Sequence, residues 1–269
     1  PKHRDVVCVS TNDGKEHWRK SFGFSEYKIH QFNSASSTSP TADEKRVYVW
    51  WNDGEKSEVF ALDHDGELVW KEELGSFESS HGSGSSVALA DGVLIVQKEN
   101  LSAASSIIGL DTATGKKVWE TPVPAKEIKK TPYVTPIIRD TDEGKEAIFA
   151  SSDHGMFSLD TKTGEFRWKF DAKFEHRVVA SPVVVGDYIF ASCGGGGGGK
   201  DSVVIQAPPG TDKVTEVYRL SKQLPYVPTG LGMDGRLFLV NDGGVGTCYE
   251  VKSGDPLWRE RLLGKCFAS

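Results

Sequence analysis

The sequence predicts an all-β fold, a β-propeller assembled from four-stranded antiparallel blades. Three observations predict it: a Gly-x-x-x-Trp signature that recurs along the chain, a second hydroxyl-rich signature in step with it, and short β-branched and aromatic runs separated by Gly, Asp and Asn. No helical stripe of useful length interrupts those runs.

Five of the seven tryptophans share one setting: NDGKEHW ending at Trp18, DHDGELVW at Trp70, DTATGKKVW at Trp119, DTKTGEFRW at Trp168 and KSGDPLW at Trp258. Gly precedes Trp by four residues each time, and the first four copies stand 52, 49 and 49 residues apart. The interval of 90 from Trp168 to Trp258 holds a degenerate copy, VVIQAPPGTDKVTEVY, with Tyr218 in the tryptophan place. The second signature is a small hydroxyl residue before Pro or another small residue and an apolar run: Ser39-Pro40, Ser85-Ser86-Val87, Thr135-Pro136-Ile137, Ser181-Pro182-Val183 and Thr229-Gly230. A period of about 40–50 residues is that of a propeller blade. Within the unit from Ala180, SPVVV is expected as strand A, DYIFASC as B, VVIQA as C and EVYRL as D; from Val134 the same order is TPIIR, AIFASS, MFSLD and FRWKF. Asp-x-x-Thr-Gly is then a tight turn between C and D, with Gly at positive φ and Asp or Thr bonding local backbone. The strand-D aromatics Trp18, Trp70, Trp119, Trp168 and Trp258 are expected to fill the wedge between blades. The repeats fall at about residues 6–33 (partial), 34–80, 81–132, 133–177, 178–226 and 227–267, within one propeller domain spanning 1–269.

Composition narrows the function classes. The chain has 269 residues, 38% apolar and 26% charged, with 32 Lys and Arg against 38 Asp and Glu for a formal charge of −6. That balance disfavours binding to a phosphate backbone, which relies on clustered cations; the densest basic group, Lys126, Lys129 and Lys130, reads as a solvated loop. No apolar run approaches the roughly 20 residues of a membrane span. Cys8, Cys193, Cys248 and Cys266 form no CxxC or vicinal pair, so small buried thiols are the expectation. The chain opens on Pro1 without a secretory segment, which suggests a processed chain or a piece of a longer one.

These repeats resemble the PQQ-like (pyrroloquinoline-quinone-type) β-propeller family, BamB-like, whose A-x-D-x-x-T-G-x-x-x-W pattern is matched by LDTATGKKVW and SLDTKTGEFRW over essentially the whole chain. The stretches QFNSASSTSPTADEKRVYV, ALDHDGELVW, SSHGSGSSV and QLPYVPTGL are similar to the exported PQQ-like repeat proteins of planctomycetes and their relatives. The resemblance implies an eight-bladed ring, of which five to six blades and therefore an incomplete circle are expected here, and an extracytoplasmic or periplasmic location. It also implies two kinds of activity: a noncatalytic scaffold, or a quinone dehydrogenase with PQQ and calcium beside a vicinal disulfide and a catalytic Asp. The vicinal cysteines are missing and no matching Glu, Asn and Asp set can be placed, so no cofactor is the expectation.

Other chemistry reads as turn structure. Gly194 to Gly199 followed by Lys200 superficially satisfies a phosphate-binding loop, but Asp201 stands where Ser or Thr should be and the run joins two blade strands. Asn12-Asp13-Gly14 and Asp63-His64-Asp65-Gly66 lack the remaining positions of a calcium loop.

Topology offers a better signal. The D-to-A and B-to-C loops of a propeller emerge on one face near the central channel. The D-to-A positions carry His30, Asn33, His81, Tyr133, His176, Arg177, Tyr226 and Phe267; His154 lies in a B-to-C turn on the same side. The bland alternative is that these residues merely solvate a channel. Read functionally, they form a polar-aromatic funnel rim that suits a protein or glycan partner. The expected function is thus a noncatalytic binding or scaffold propeller. The alternatives are a carbohydrate-active or metal-dependent enzyme with a His-rich site, for which Asp153 and Asp242 are the first acids to consider, and a PQQ-dependent dehydrogenase.

Overall fold

The computed structural model describes residues 2–27, 29–31, 34–53, 55–79, 81–101, 105–126, 130–195, 200–262 and 264–266, and every regular element among them is a β-strand. A two-stranded sheet comes first, β1 (His3–Val9) with β2 (Glu16–Gly23). Five four-stranded antiparallel sheets follow, each running in chain order from strand A to strand D. Blade 1 holds β3 (Thr41–Ala42), β4 (Arg46–Asn52), β5 (Ser57–Asp63) and β6 (Leu68–Glu73). Blade 2 holds β7 (Ala88–Ala90), β8 (Val93–Lys98), β9 (Ser106–Asp111) and β10 (Lys117–Pro122). Blade 3 is β11 (Ile137–Thr141), β12 (Gly144–Ser151), β13 (Gly155–Asp160) and β14 (Phe166–Phe170). Blade 4 is β15 (Val183–Val185), β16 (Tyr188–Gly194), β17 (Lys200–Gln206) and β18 (Thr215–Tyr218), and blade 5 is β19 (Leu231–Met233), β20 (Arg236–Val240), β21 (Val245–Glu250) and β22 (Pro256–Arg261).

Strands B and C of blades 1 to 4 are buried on both faces because each of these blades is sandwiched between two sheets. Alternation along a strand therefore decides which neighbour a side chain meets. On β12, Ala147 and Phe149 pack with Ile95, Ile107 and Trp119 of blade 2, while Ile148 and Ala150 pack with Ile189, Ala191 and Val203 of blade 4. Blade 1 does the same, sending Tyr48 and Trp50 toward blade 2 and Val49 and Trp51 toward the first sheet. The expected A strands are shortened at their starts. SPVVV pairs only over Val183–Val185 because Pro182 has no N–H and the Ser181 N–H bonds Thr229 Oγ1 of blade 5 at 3.1 Å.

The outer seam of four interfaces is one repeated lock. Trp18 donates from Nε1 to the His64 carbonyl at 2.8 Å, Trp70 to Thr112 at 2.9 Å and Trp119 to Thr161 at 3.0 Å. Each indole also lies on the turn glycine of the blade it reaches: a Cβ on Gly66, Gly115 or Gly164 would stand 2.5–2.6 Å from the ring of Trp18, Trp70 or Trp119. Tyr218 takes over this role between blades 4 and 5, donating to the Val251 carbonyl at 2.7 Å with its ring over Gly254. The turn glycine thus has two reasons to be Gly, a left-handed backbone (φ 73° at Gly164 and 78° at Gly254) and a face that receives an aromatic ring. Register shifts just before the aromatic in all six C–D pairings, so one extra residue on strand D turns the ring outward toward the next blade.

Blade 3 departs from the pattern. Trp168 Nε1 turns back to Glu146 Oε2 at 3.0 Å, and Gly210 in the neighbouring turn faces the Thr141 side chain instead of an indole. Glu146 is buried, accepts Arg139 Nε at 2.7 Å and Nη2 at 2.5 Å, and also accepts the Ser158 hydroxyl. This buried carboxylate is balanced by a guanidinium that donates twice to Oε1, while Ser158 and Trp168 donate to Oε2.

Candidate functional site

The hydroxyl signature forms an inner seam that complements the outer one. Ser39 N–H donates to Ser86 Oγ at 2.8 Å, Thr135 N–H to Ser181 Oγ at 2.9 Å and Ser181 N–H to Thr229 Oγ1 at 3.1 Å. A hydroxyl is needed because the acceptor must reach across from the adjacent blade to a backbone donor that the ladder leaves over. The signature residues therefore hold the starts of adjacent A strands together where the D-to-A loops end.

Acids in the B-to-C turns hold those loops from the other side. Asp242 accepts Tyr226 N–H at 3.0 Å and Val227 N–H at 3.2 Å, Asp153 accepts Lys126 N–H at 2.8 Å, and Asp53 accepts Ser25 N–H at 3.4 Å. These contacts put the two loop types on one face, as the topology requires. They give Asp153 and Asp242 a positioning role at these loops. Asp53 escaped the sequence reading although it sits in the same turn position.

Along this face a row of side chains connects across blades. The His30 and His81 rings have centroids 5.3 Å apart, and His30 N–H donates to the His81 carbonyl at 3.2 Å. His81 N–H reaches Ser79 Oγ at 3.3 Å, and that hydroxyl stands 3.2 Å from the Tyr133 hydroxyl. The Arg177 guanidinium lies 5.8 Å from the Tyr133 ring centroid and donates from Nη1 to the Tyr226 hydroxyl at 3.3 Å. Tyr133 is seated against Gly84 and Tyr226 against Gly194, where an added Cβ would approach each ring to 2.7 and 2.8 Å. Both phenols are half-buried, and burial pushes the Tyr133 hydroxyl above the ordinary tyrosine range.

The structure thus joins His30, His81, Tyr133, Arg177 and Tyr226, with Ser79 as a link that the sequence did not reveal. His154 is engaged elsewhere: Nε2 contacts the Pro124 carbonyl at 3.1 Å, the ring stands edge-on to Phe157, and burial lowers its pKa. His176 contributes its carbonyl, which accepts the Ser152 hydroxyl at 2.7 Å. Asn33 and Phe267 lie outside the described residues, as do Gly196 to Gly199 of the glycine run. Lys200, the lysine of the apparent phosphate loop, ion-pairs with Asp242 and donates to the Leu224 carbonyl at 3.1 Å, so it braces the rim. A second cluster missed in the sequence lies near the first sheet: buried Arg4 donates to the Asn52 carbonyl at 2.5 Å beneath Phe24, with Tyr27 3.5 Å from its guanidinium.

Among the described residues no three His, Cys, Asp or Glu side chains converge on a point where an ion could sit. Asp53, Asp153 and Asp242 have backbone N–H partners, and the four cysteines are separate thiols, two of them buried.

Blades stacked through matching inner and outer seams define the protein class as a β-propeller of tryptophan-docked repeats. The family model described as outer membrane protein assembly factor BamB matches residues 2–192, and the chain belongs to that family. BamB from Moraxella catarrhalis is similar in fold, with a TM-score of 0.68 at 17% identity over 98% of this chain and 72% of that one. Quinohemoprotein alcohol dehydrogenase from Comamonas testosteroni superposes with a TM-score of 0.69 at 14% identity, and a europium-containing methanol dehydrogenase with 0.63 at 13%. Each covers 98% of this chain, which in turn spans 57% and 66% of their lengths. Among curated proteins none matches the sequence. No helix among the described residues is long and apolar enough to cross a membrane.

Proposed function

We propose that this chain is a noncatalytic scaffold that binds a protein partner through the D-to-A loop face, in an extracytoplasmic compartment. Membership of the BamB family supports the scaffold role, and the connected row from His30 to Tyr226 supports the choice of face. The observation that carries the reading is the Tyr133–Arg177–Tyr226 bridge. It offers two rings and a guanidinium, half-buried, seated on glycines and already ordered before any partner arrives. Aromatic and Arg side chains of this kind dominate binding energy in protein interfaces, and preordering reduces the entropy lost on association. A catalytic role draws no support from the acids of the rim, which are engaged by backbone.

The test is capture from an envelope extract of the source cell on immobilised wild-type chain and on an Arg177→Ala/Tyr226→Ala variant of unchanged circular dichroism. A protein retained by the wild type and reduced about tenfold or more on the variant is the expected result. Equal retention by both, or binding seen only on a glycan array, overturns the reading. Dye reduction after adding PQQ and calcium would instead establish the dehydrogenase alternative.

A further inference from the structure

The B-to-C ends of blades 2 and 3 meet around a buried acid outside the row from His30 to Tyr226. Gln97 and Glu99 follow Ile95 at intervals of two along the end of β8, so they face blade 3 as Ile95 does. Glu99 is buried, the Gln97 amide donates to its Oε2 at 3.1 Å, and the Ser151 hydroxyl of blade 3 hydrogen-bonds the same carboxyl. Ser151 Oγ also accepts the His154 N–H at 3.1 Å and so anchors its own B-to-C turn. That turn holds the segment leaving β10: Asp153 accepts the Lys126 N–H at 2.8 Å, and His154 Nε2 contacts the Pro124 carbonyl at 3.1 Å. One line of contacts thus runs from Glu99 through Ser151 to Pro124 and Lys126. Two features make its outer end easy to open. Pro124 and Lys126 are exposed, so their release uncovers little apolar surface, while Val123 before them is buried with its N–H on the Ser105 carbonyl at 3.0 Å. Gln97 Oε1 is buried without a hydrogen-bond partner among the described residues, a cost that admitted water removes.

We infer that Glu99 is a proton-operated latch on this segment: protonated, it leaves the turn of Asp153 and His154 closed on residues 124–126, and ionised, it opens that contact so that its carboxylate reaches water. The charged groups around it are the Asp153 carboxylate, which opposes a second negative charge, and the Lys126 ammonium, which favours one. Burial outweighs the hydrogen bonds and pushes the closed carboxyl up to about 7, against 4.5 for an exposed Glu. The closed form therefore holds the proton more tightly, so closure is strongest below about 4.5, weakens as pH rises to about 7 and loses nothing further above it. Between about pH 5.5 and 7.5 those two values make opening about twentyfold more favourable. His154 acts in the opposite sense: burial lowers its imidazole, so its share of the opening shrinks as pH rises. The latch needs no partner at the rim, so its test is independent of the proposed binding.

Amide exchange of the full chain, followed by NMR from about pH 5.5 to 7.5 and corrected for the intrinsic pH dependence of exchange, tests this at the Lys126 N–H. Its protection is expected to fall about twentyfold over that range while staying below that of the β21 N–H groups at every pH, the mark of a local opening. Glu99→Gln has nearly the same shape and cannot ionise, so the fall disappears. Asp153→Asn keeps an oxygen for the Lys126 N–H and removes the facing charge, so the fall becomes smaller. Protection at Lys126 that is flat or rises with pH in the wild type overturns the inference, and that result needs no variant to fold. So does protection equal to that of β21, which would mean exchange only through unfolding of the whole chain, or a fall that persists in Glu99→Gln.

Discussion

Gly164→Ala separates the two reasons for a turn glycine. The backbone at Gly164 has φ 73°, as does Gly235 in the tight turn between β19 and β20. Alanine in this left-handed region costs about 1–2 kcal/mol, and both sites bear that cost. Only Gly164 has a second one: its Cβ would stand 2.5 and 2.6 Å from Cε3 and Cδ2 of Trp119 and 2.9 Å from Thr121 Oγ1, whereas nothing lies within 4 Å of Gly235. Trp119 cannot swing aside, because its ring packs against Phe149, Phe157 and Leu159 of blade 3 and its N–H is held by Thr161. Overpacking of this kind costs about 1–3 kcal/mol. Gly235→Ala is therefore expected to lose about 1–2 kcal/mol and Gly164→Ala about 2–5 kcal/mol. Urea unfolding followed by far-ultraviolet circular dichroism measures both. Losses equal within about 0.5 kcal/mol, the spread of independent substitutions, would refute the idea that the glycine face is a docking surface.

Three further perturbations probe individual groups. Tyr218→Phe keeps the ring on Gly254 and removes only the 2.7 Å bond to Val251, so a loss of about 1 kcal/mol in the same urea assay is expected; no loss would mean that the hydroxyl contributes nothing to the seam. Burial pushes the Tyr218 phenol up to about 12, so its proton is kept in the folded chain at pH values where the unfolded chain ionises; stability should fall from pH 10 toward 12, and Tyr218→Phe should flatten that slope. Glu99 is buried and its carboxyl is pushed up to about 7 by desolvation, so the unfolded chain ionises first and stability should fall as pH rises from about 4.5 to 7. Glu99→Gln should abolish that fall and raise the urea midpoint at pH 8; an unchanged pH profile would show that Glu99 is not the titrating group.

The repeat was legible because the residues that bind blades together recur in register. Gly66, Gly115 and Gly164 each stand four before a tryptophan of their own blade, yet receive the tryptophan of the blade before. Sequence displays the spacing within a unit but not this exchange between units. Tyr218 illustrates the limit: its place in the period announced it, while the bond to Val251 became visible only once blades 4 and 5 were adjacent. Trp168 illustrates the converse, since its motif is intact but the Pro208-Pro209-Gly210 turn of blade 4 presents Gly210 to Thr141, and a buried Glu146 takes the indole N–H.

The rim was less legible because a face is built from single residues on different blades. His30, His81, Tyr133, Arg177 and Tyr226 share a topological position, which was enough to group them. Ser79, whose hydroxyl joins two of them, opens the stretch SSHGSGSSV, but nothing in its residue type or spacing marks it as a link. Asp53, Asp153 and Asp242 show why residue type misleads at such a place. An acid beside a funnel invites a proton-transfer role, but loop backbone without a strand partner needs acceptors, and a B-to-C turn is close enough to supply one. The same hydrogen bonds tie the D-to-A loops to the B-to-C turns. The proposed binding face at Tyr133 and Tyr226 therefore stands on loops that these carboxylates tie down, and ordered loops lose less entropy on association.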